Sequence, residues 1–203
     1  ATDVAIDSNI ILNFSEAVDR ETGNIVIYQA TDDSVVETID VTSDQVSGTG
    51  SNQITINPSA DFSSSTEYYV QIATTAFDDV AGNSYSGITD KTTLSFTTAD
   101  VGVPTLSSHS PGFAATDIAI DRNIVLTFSE AVDRETGNIV IYKSTDDSVV
   151  ETIDVTSGQV SGSGTTQITI DPSADFSSAT DYYVQIAATA FDDNAGNSYA
   201  GIT

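Results

Sequence analysis

Ile10-Ile11-Leu12-Asn13-Phe14 sets Ile10, Leu12 and Phe14 on one side of an extended chain and Ile11 and Asn13 on the other. That period of two is the mark of a half-buried strand. The pattern resumes at Ile25 and Ile27, along Val35 to Val41, at Ile54 and Ile56, at Tyr68, Val70 and Ile72, and at Leu94 and Phe96. β-Branched and aromatic residues dominate these runs, as strands favour. Between them lie turn-forming clusters: Asp19 to Asn24, Thr31 to Ser34, Ser47 to Gly50, Asn57 to Ser59 and Asp78 to Asn83. No segment keeps a helical period. Short strands spaced this way predict an all-β fold, an antiparallel β-sandwich.

The whole pattern is written twice. Ala1 to Thr89 returns without a gap as Ala115 to Thr203, displaced by 114 positions. A repeat of that length has the size of one domain, so the chain predicts two sandwiches in tandem, about seven strands each. The expected organisation is a first repeat over residues 1–100, a linker and the start of a lead-in strand over 101–109, and a second repeat over 110–203. The first copy has no counterpart of Val101 to Ala114, and the second none of Asp90 to Asp100. With no initiating Met, the chain is expected to be cut from a longer run. A lead-in strand around Pro104 to Ser108 brings a complete unit to seven. In an up-and-down order, that odd count puts the termini at opposite poles and the Asp19–Asn24 and Asp78–Asn83 loops together at the entry pole.

Charge narrows the partners. Thirty acidic residues against five basic ones leave a net charge of −25, which disfavours nucleic acid and anionic membrane surfaces. Crowded acidic loops need salt or divalent cations to neutralise them, and calcium is the expected cation; halophilic adaptation is the alternative source of the acidity. Cysteine, methionine and tryptophan are absent, which removes disulfides, thiol catalysis and cysteine metal sites. No apolar run reaches the length of a membrane span.

Three phrases carry a family resemblance: SPGFAATDIAIDRNIVLTFSEAVDRETGNIVIY (Ser110 to Tyr142), FDDNAGNSY (Phe191 to Tyr199) and LSFTTAD (Leu94 to Asp100). In their order they resemble the bacterial Ig-like domain of S-layer proteins and of the extender regions of giant repeats-in-toxin adhesins. The resemblance covers nearly the whole chain. It implies non-enzymatic extender modules of a secreted, cell-surface bacterial adhesin, monomeric, contacting neighbouring repeats, stiffened by calcium at the linkers and projecting a distal binding region.

Calcium takes six to eight oxygen ligands, usually several carboxylates. At the junction between copies, Asp100, Asp133, Glu135, Asp192, Asp193 and Asn197 are the candidate ligands. Asp19, Glu21, Asp78, Asp79 and Asn83 form the equivalent, weaker set in the first copy. The same residues suit turn formation: Asp133 with Gly137, and Asp193 to Asn197 as a glycine-containing hairpin.

Other features read as structural. His109 is the single histidine, so neither repeat carries a Ser-His-Asp set. Asp32-Asp33 reads as a hairpin turn rather than a glycosidase pair. Tyr68-Tyr69 and Tyr182-Tyr183 put one ring on each sheet face. The Ser/Thr-rich stretch Ser43 to Gln53 reads as a flexible loop. The rival functions are glycan or protein binding by multivalent repeats and an accessory role in a large secreted hydrolase.

Overall fold

A computed structural model describes residues 1–203 as two compact units, Ala1–Asp100 and Val101–Thr203. Each is all-β. The first holds β1 (Ile10–Arg20), β2 (Asn24–Gln29), β3 (Val35–Asp40), β4 (Val46–Ser47), β5 (Ser51–Ile56), β6 (Glu67–Ile72), β7 (Phe77–Asp79) and β8 (Ser95–Thr97). The second holds β9 (Leu106–Ser110), β10 (Ile124–Arg134), β11 (Asn138–Lys143), β12 (Val149–Asp154), β13 (Val160–Ser161), β14 (Thr165–Ile170), β15 (Tyr182–Ile186) and β16 (Phe191–Asp193).

In the first unit one sheet runs β4-β5-β1-β7 and the other β3-β2-β6-β8. The second repeats this as β13-β14-β10-β16, with β9 also on β10, and β12-β11-β15. Inward residues of the two sheets meet in a core of Ile25, Ile27, Ile54, Ile56, Val70 and Phe77, all fully buried, and of their counterparts in the second unit. Sheet packing of this kind places alternate residues of each strand in the core and the rest in solvent.

Each unit has eight strands rather than seven. The additional ones, β4 with β7 and β13 with β16, span only two or three residues, too short to show a period. Only some neighbours are consecutive; β5 pairs β1, β1 pairs β7 and β2 pairs β6, so the up-and-down order does not occur. β1 runs on to Arg20 because it changes partner: Ile10 to Asn13 pair with β5, while Val18 to Arg20 pair with β7. The register breaks between Asn13 and Val18, a bulge that carries Ser15-Glu16-Ala17. Ser129-Glu130-Ala131 occupy the same break in β10.

Ser43 to Gln53 is structured rather than a free loop. Arg20 reaches in from β1, and its Nη1 donates to the Ser43 carbonyl at 2.9 Å and to the Val46 carbonyl. Arg134 does the same at Ser157 (3.0 Å) and Val160 (2.5 Å). His109 lies within β9, exposed, its ring Nδ1 at 2.7 Å from the Pro111 carbonyl oxygen.

Candidate functional site

The acidic positions gather where β10 meets β16. Val132 stands opposite Asp193, Asp133 opposite Asp192, and Arg134 opposite Phe191. Val132 and Phe191 are fully buried in the core, so by strand alternation Asp133 and Asp192 share the opposite face. The first unit builds the same ladder with Asp19 opposite Asp78.

Each member of the pair has a distinct environment. Asp133 Oδ1 accepts the Ser163 hydroxyl at 2.9 Å, and Ser163 Oγ accepts the Arg134 amide at 3.1 Å. Thr49 performs both tasks in the first unit, at 3.1 Å to Asp19 Oδ1 and 3.2 Å from the Arg20 amide. The β4–β5 and β13–β14 hairpins are thus tied to the acidic ladder. Asp192 differs: its Oδ1 is buried and has no hydrogen-bond partner.

Asp193 caps its own turn. Its Oδ1 accepts the amides of Ala195 and Asn197, both at 2.8 Å, and its Oδ2 accepts the Asn197 side-chain amide at 2.9 Å. Asp79 is bonded alike by Ala81 and Asn83. The Asn83 side-chain amide, with the backbone N–H groups of Asn83 and Ala81, holds the Asp79 carboxyl below its ordinary range. Turn formation therefore engages these four residues, and Oδ2 of each aspartate, which accepts one bond, can take another donor or a cation.

Glu21 and Glu135 are exposed beyond the ends of β1 and β10. Antiparallel pairing carries them away from the turns of Asn83 and Asn197, since each step past the Asp19–Asp78 or Asp133–Asp192 pair moves the two chains in opposite directions. A glutamate outside the sequence-predicted set lies closer: carboxylate oxygens of Glu130 and Asp193 are within 4.8 Å of each other. Glu130 sits in the β10 bulge, where alternation fails and periodicity gives no signal. Asp100 closes the first unit, and its Oδ1 accepts the Ser64 hydroxyl at 3.0 Å.

Two copies of one sandwich, each with the same bulged strand and acidic turn, invite comparison with known domains. The model of the bacterial Ig-like domain matches residues 1–98 and again 100–203. The chain belongs to the bacterial Ig-like domain family. No curated protein matches it. Among solved structures, that of murine CEACAM1b is similar at 11% identity over 91% of this chain and 87% of that one, with a TM-score of 0.27. Likeness at that level says nothing of function. The two bacterial Ig-like domains stand in tandem, and their cross-strand aspartates are the feature of each that calls for a chemical explanation.

Proposed function

We propose that these tandem bacterial Ig-like domains are non-enzymatic extender repeats of a secreted, surface-anchored bacterial adhesin, and that calcium stiffens the joint between them. The supporting observation is the cross-strand pair of Asp133 and Asp192, repeated as Asp19 and Asp78. Like charges directly opposite on paired strands repel, and a buried carboxylate oxygen without a partner adds to that cost. A divalent cation relieves both.

The donor set suits calcium, being all oxygen and rich in carboxylates. Asp133 and Asp192 would hold calcium on the outward face of the β10–β16 ladder, and Asp193, which alternation sets on the other face with Val132, would hold an ion separately from them. Glu130 would add a ligand from the bulge and Asn197 its side-chain oxygen. Asp100 would join from the chain segment that enters the second domain. Bound calcium supplies charge neutralisation, so acidic groups crowd together without letting the domains swing. Affinity on the order of 10⁻⁴ to 10⁻³ M is expected, as in extracellular modules.

Small-angle scattering of the 203-residue chain is the direct test. Calcium should lengthen and sharpen the distance distribution relative to chelator, and an unchanged maximum dimension would sink the proposal. Calorimetry separates a specific site from general screening: a rise in melting temperature with calcium but not with sodium at equal ionic strength supports the site.

The binding-module alternative has one observation in its favour. Tyr28 and Tyr69 stack on the outer sheet face, centroids 4.8 Å apart and 8° from parallel, and Tyr142 and Tyr183 repeat this at 4.9 Å and 9°. Their faces are turned to each other, leaving edges rather than an open platform for a sugar ring. Glycan-array binding that survives chelation would favour this alternative.

A further inference from the structure

Four of the eight tyrosines stand in two cross-strand pairs. Tyr28 on β2 is directly opposite Tyr69 on β6, and Tyr142 on β11 is directly opposite Tyr183 on β15. The rings of each pair lie flat against one another, with centroids 4.8 Å and 4.9 Å apart. Tyr68, Tyr85, Tyr182 and Tyr199 meet phenylalanine rings instead. Residues directly opposite on one sheet face bring their side chains closer than any other cross-strand neighbours.

Each pair also carries a proton acceptor. The Tyr69 hydroxyl donates to Asp33 Oδ1 at 3.1 Å, and the Tyr183 hydroxyl donates to Asp147 Oδ1 at 3.1 Å. Asp33 accepts Lys91 as well. Burial and the neighbouring carboxylate hold both phenols above their ordinary range. They are therefore neutral at neutral pH and lose an electron most readily as the proton leaves. The carboxylate is placed to take that proton. Nor does the chain offer a competing sink, for it has no cysteine, methionine or tryptophan to intercept an oxidant before tyrosine does.

We infer that Tyr28–Tyr69 and Tyr142–Tyr183 are oxidative cross-linking sites, at which a peroxidase-class oxidant joins the two stacked rings as dityrosine. Each phenol gives up one electron and its hydroxyl proton, leaving a radical shared between the oxygen and the ortho carbons. The rings turn about their Cβ–Cγ bonds until two ortho carbons meet and bond. The hydrogens on those carbons then move to the phenolic oxygens, which restores both aromatic rings. Each pair thus loses two electrons and two protons, and one hydrogen peroxide takes them up to become two waters. The new bond ties β2 to β6, or β11 to β15, closing a loop of chain covalently as a disulfide would and restricting the unfolded state in the same way.

The test treats the whole chain, dilute, with a haem peroxidase and hydrogen peroxide, and reads dityrosine fluorescence, intact mass and cross-linked peptides. Cleavage after glutamate puts the four tyrosines on separate peptides, 22–37, 68–130, 136–151 and 152–203. The monomer should become lighter by two hydrogens for each pair coupled, with 22–37 joined to 68–130 and 136–151 joined to 152–203. Tyr69→Phe should lose the first joint and keep the second, and Tyr183→Phe the reverse, so that the surviving joint shows in the same molecule that oxidation took place. Asp147→Asn should slow the second joint relative to the parent, and an unchanged rate overturns the part given to the carboxylate. Absence of dityrosine, dityrosine confined to dimers, or a joint that survives removal of its own tyrosine overturns the assignment.

Discussion

Asp133 and Asp192 stand directly opposite each other on β10 and β16, two like charges at one rung of a ladder. The Asp192 Oδ1 has no partner within the protein. Replacing Asp192 by Asn removes the repulsion and adds a donor that can reach Asp133. In chelator, Asp192→Asn should stabilise the second domain by about 1 kcal/mol, the scale of a cross-strand pair. On the proposed calcium role the order should reverse with the ion, because the variant would lose a proposed ligand; calorimetry with and without calcium reads both signs.

Phe191 is fully buried and meets Phe128 at 5.4 Å between ring centroids, while Phe128 in turn meets Tyr199 edge-on at 5.1 Å. Phe191→Ala should cost about 3–5 kcal/mol in urea unfolding, as truncation of a core aromatic does. Phe113, which is 95% exposed, serves as the control: Phe113→Ala should leave the midpoint where it was.

Arg134 is one of only five basic residues, and it is spent on backbone carbonyls rather than on any of the 30 acids. Its removal leaves the Ser157 and Val160 carbonyls without that donor. Arg134→Ala should destabilise the second domain by about 1.5–3 kcal/mol. Arg134→Lys should recover only part of this, since one ammonium cannot reproduce the planar fork. Thermal melts of the three proteins rank them.

Glu151 is partly buried, which opposes its ionisation, but donation from Gln159 at 2.8 Å and from the Ser173 amide at 3.0 Å outweighs burial and leaves its carboxyl below the ordinary range. Glu37 is held down in the same way. A carboxyl lowered on folding stabilises the domain above its unfolded pKa of about 4.3, and that contribution is lost as pH falls through the folded value. Glu151→Gln should therefore melt below the parent at neutral pH and converge with it in acid. A constant difference across the titration would show that the ionised form has no special part.

Much of the sandwich is legible in one dimension. Alternation from Ile10 to Phe14 and from Ile25 to Ile27 reports strands because burial of one sheet face imposes a period of two. The turn at Asp193 to Asn197 is legible too, since a short carboxylate can bond the amides that follow it. Legibility stops where a residue's role depends on a partner strand. β7 is Phe77-Asp78-Asp79, three residues without a period, and it exists as a strand because β1 pairs with it. Glu130 lies in a bulge, where the sequence pattern has no phase to read.

The sequence by itself determined the repeat, the all-β class, the acidic surface and which side chains face the core, because each is a property of local order and composition. Only the tertiary structure decided that Asp133 meets Asp192 across two strands and that Glu135 departs from them while Glu130 approaches Asp193. Those are facts of register between segments some 60 residues apart. Backbone hydrogen bonds set that register, and they are the same for every side chain.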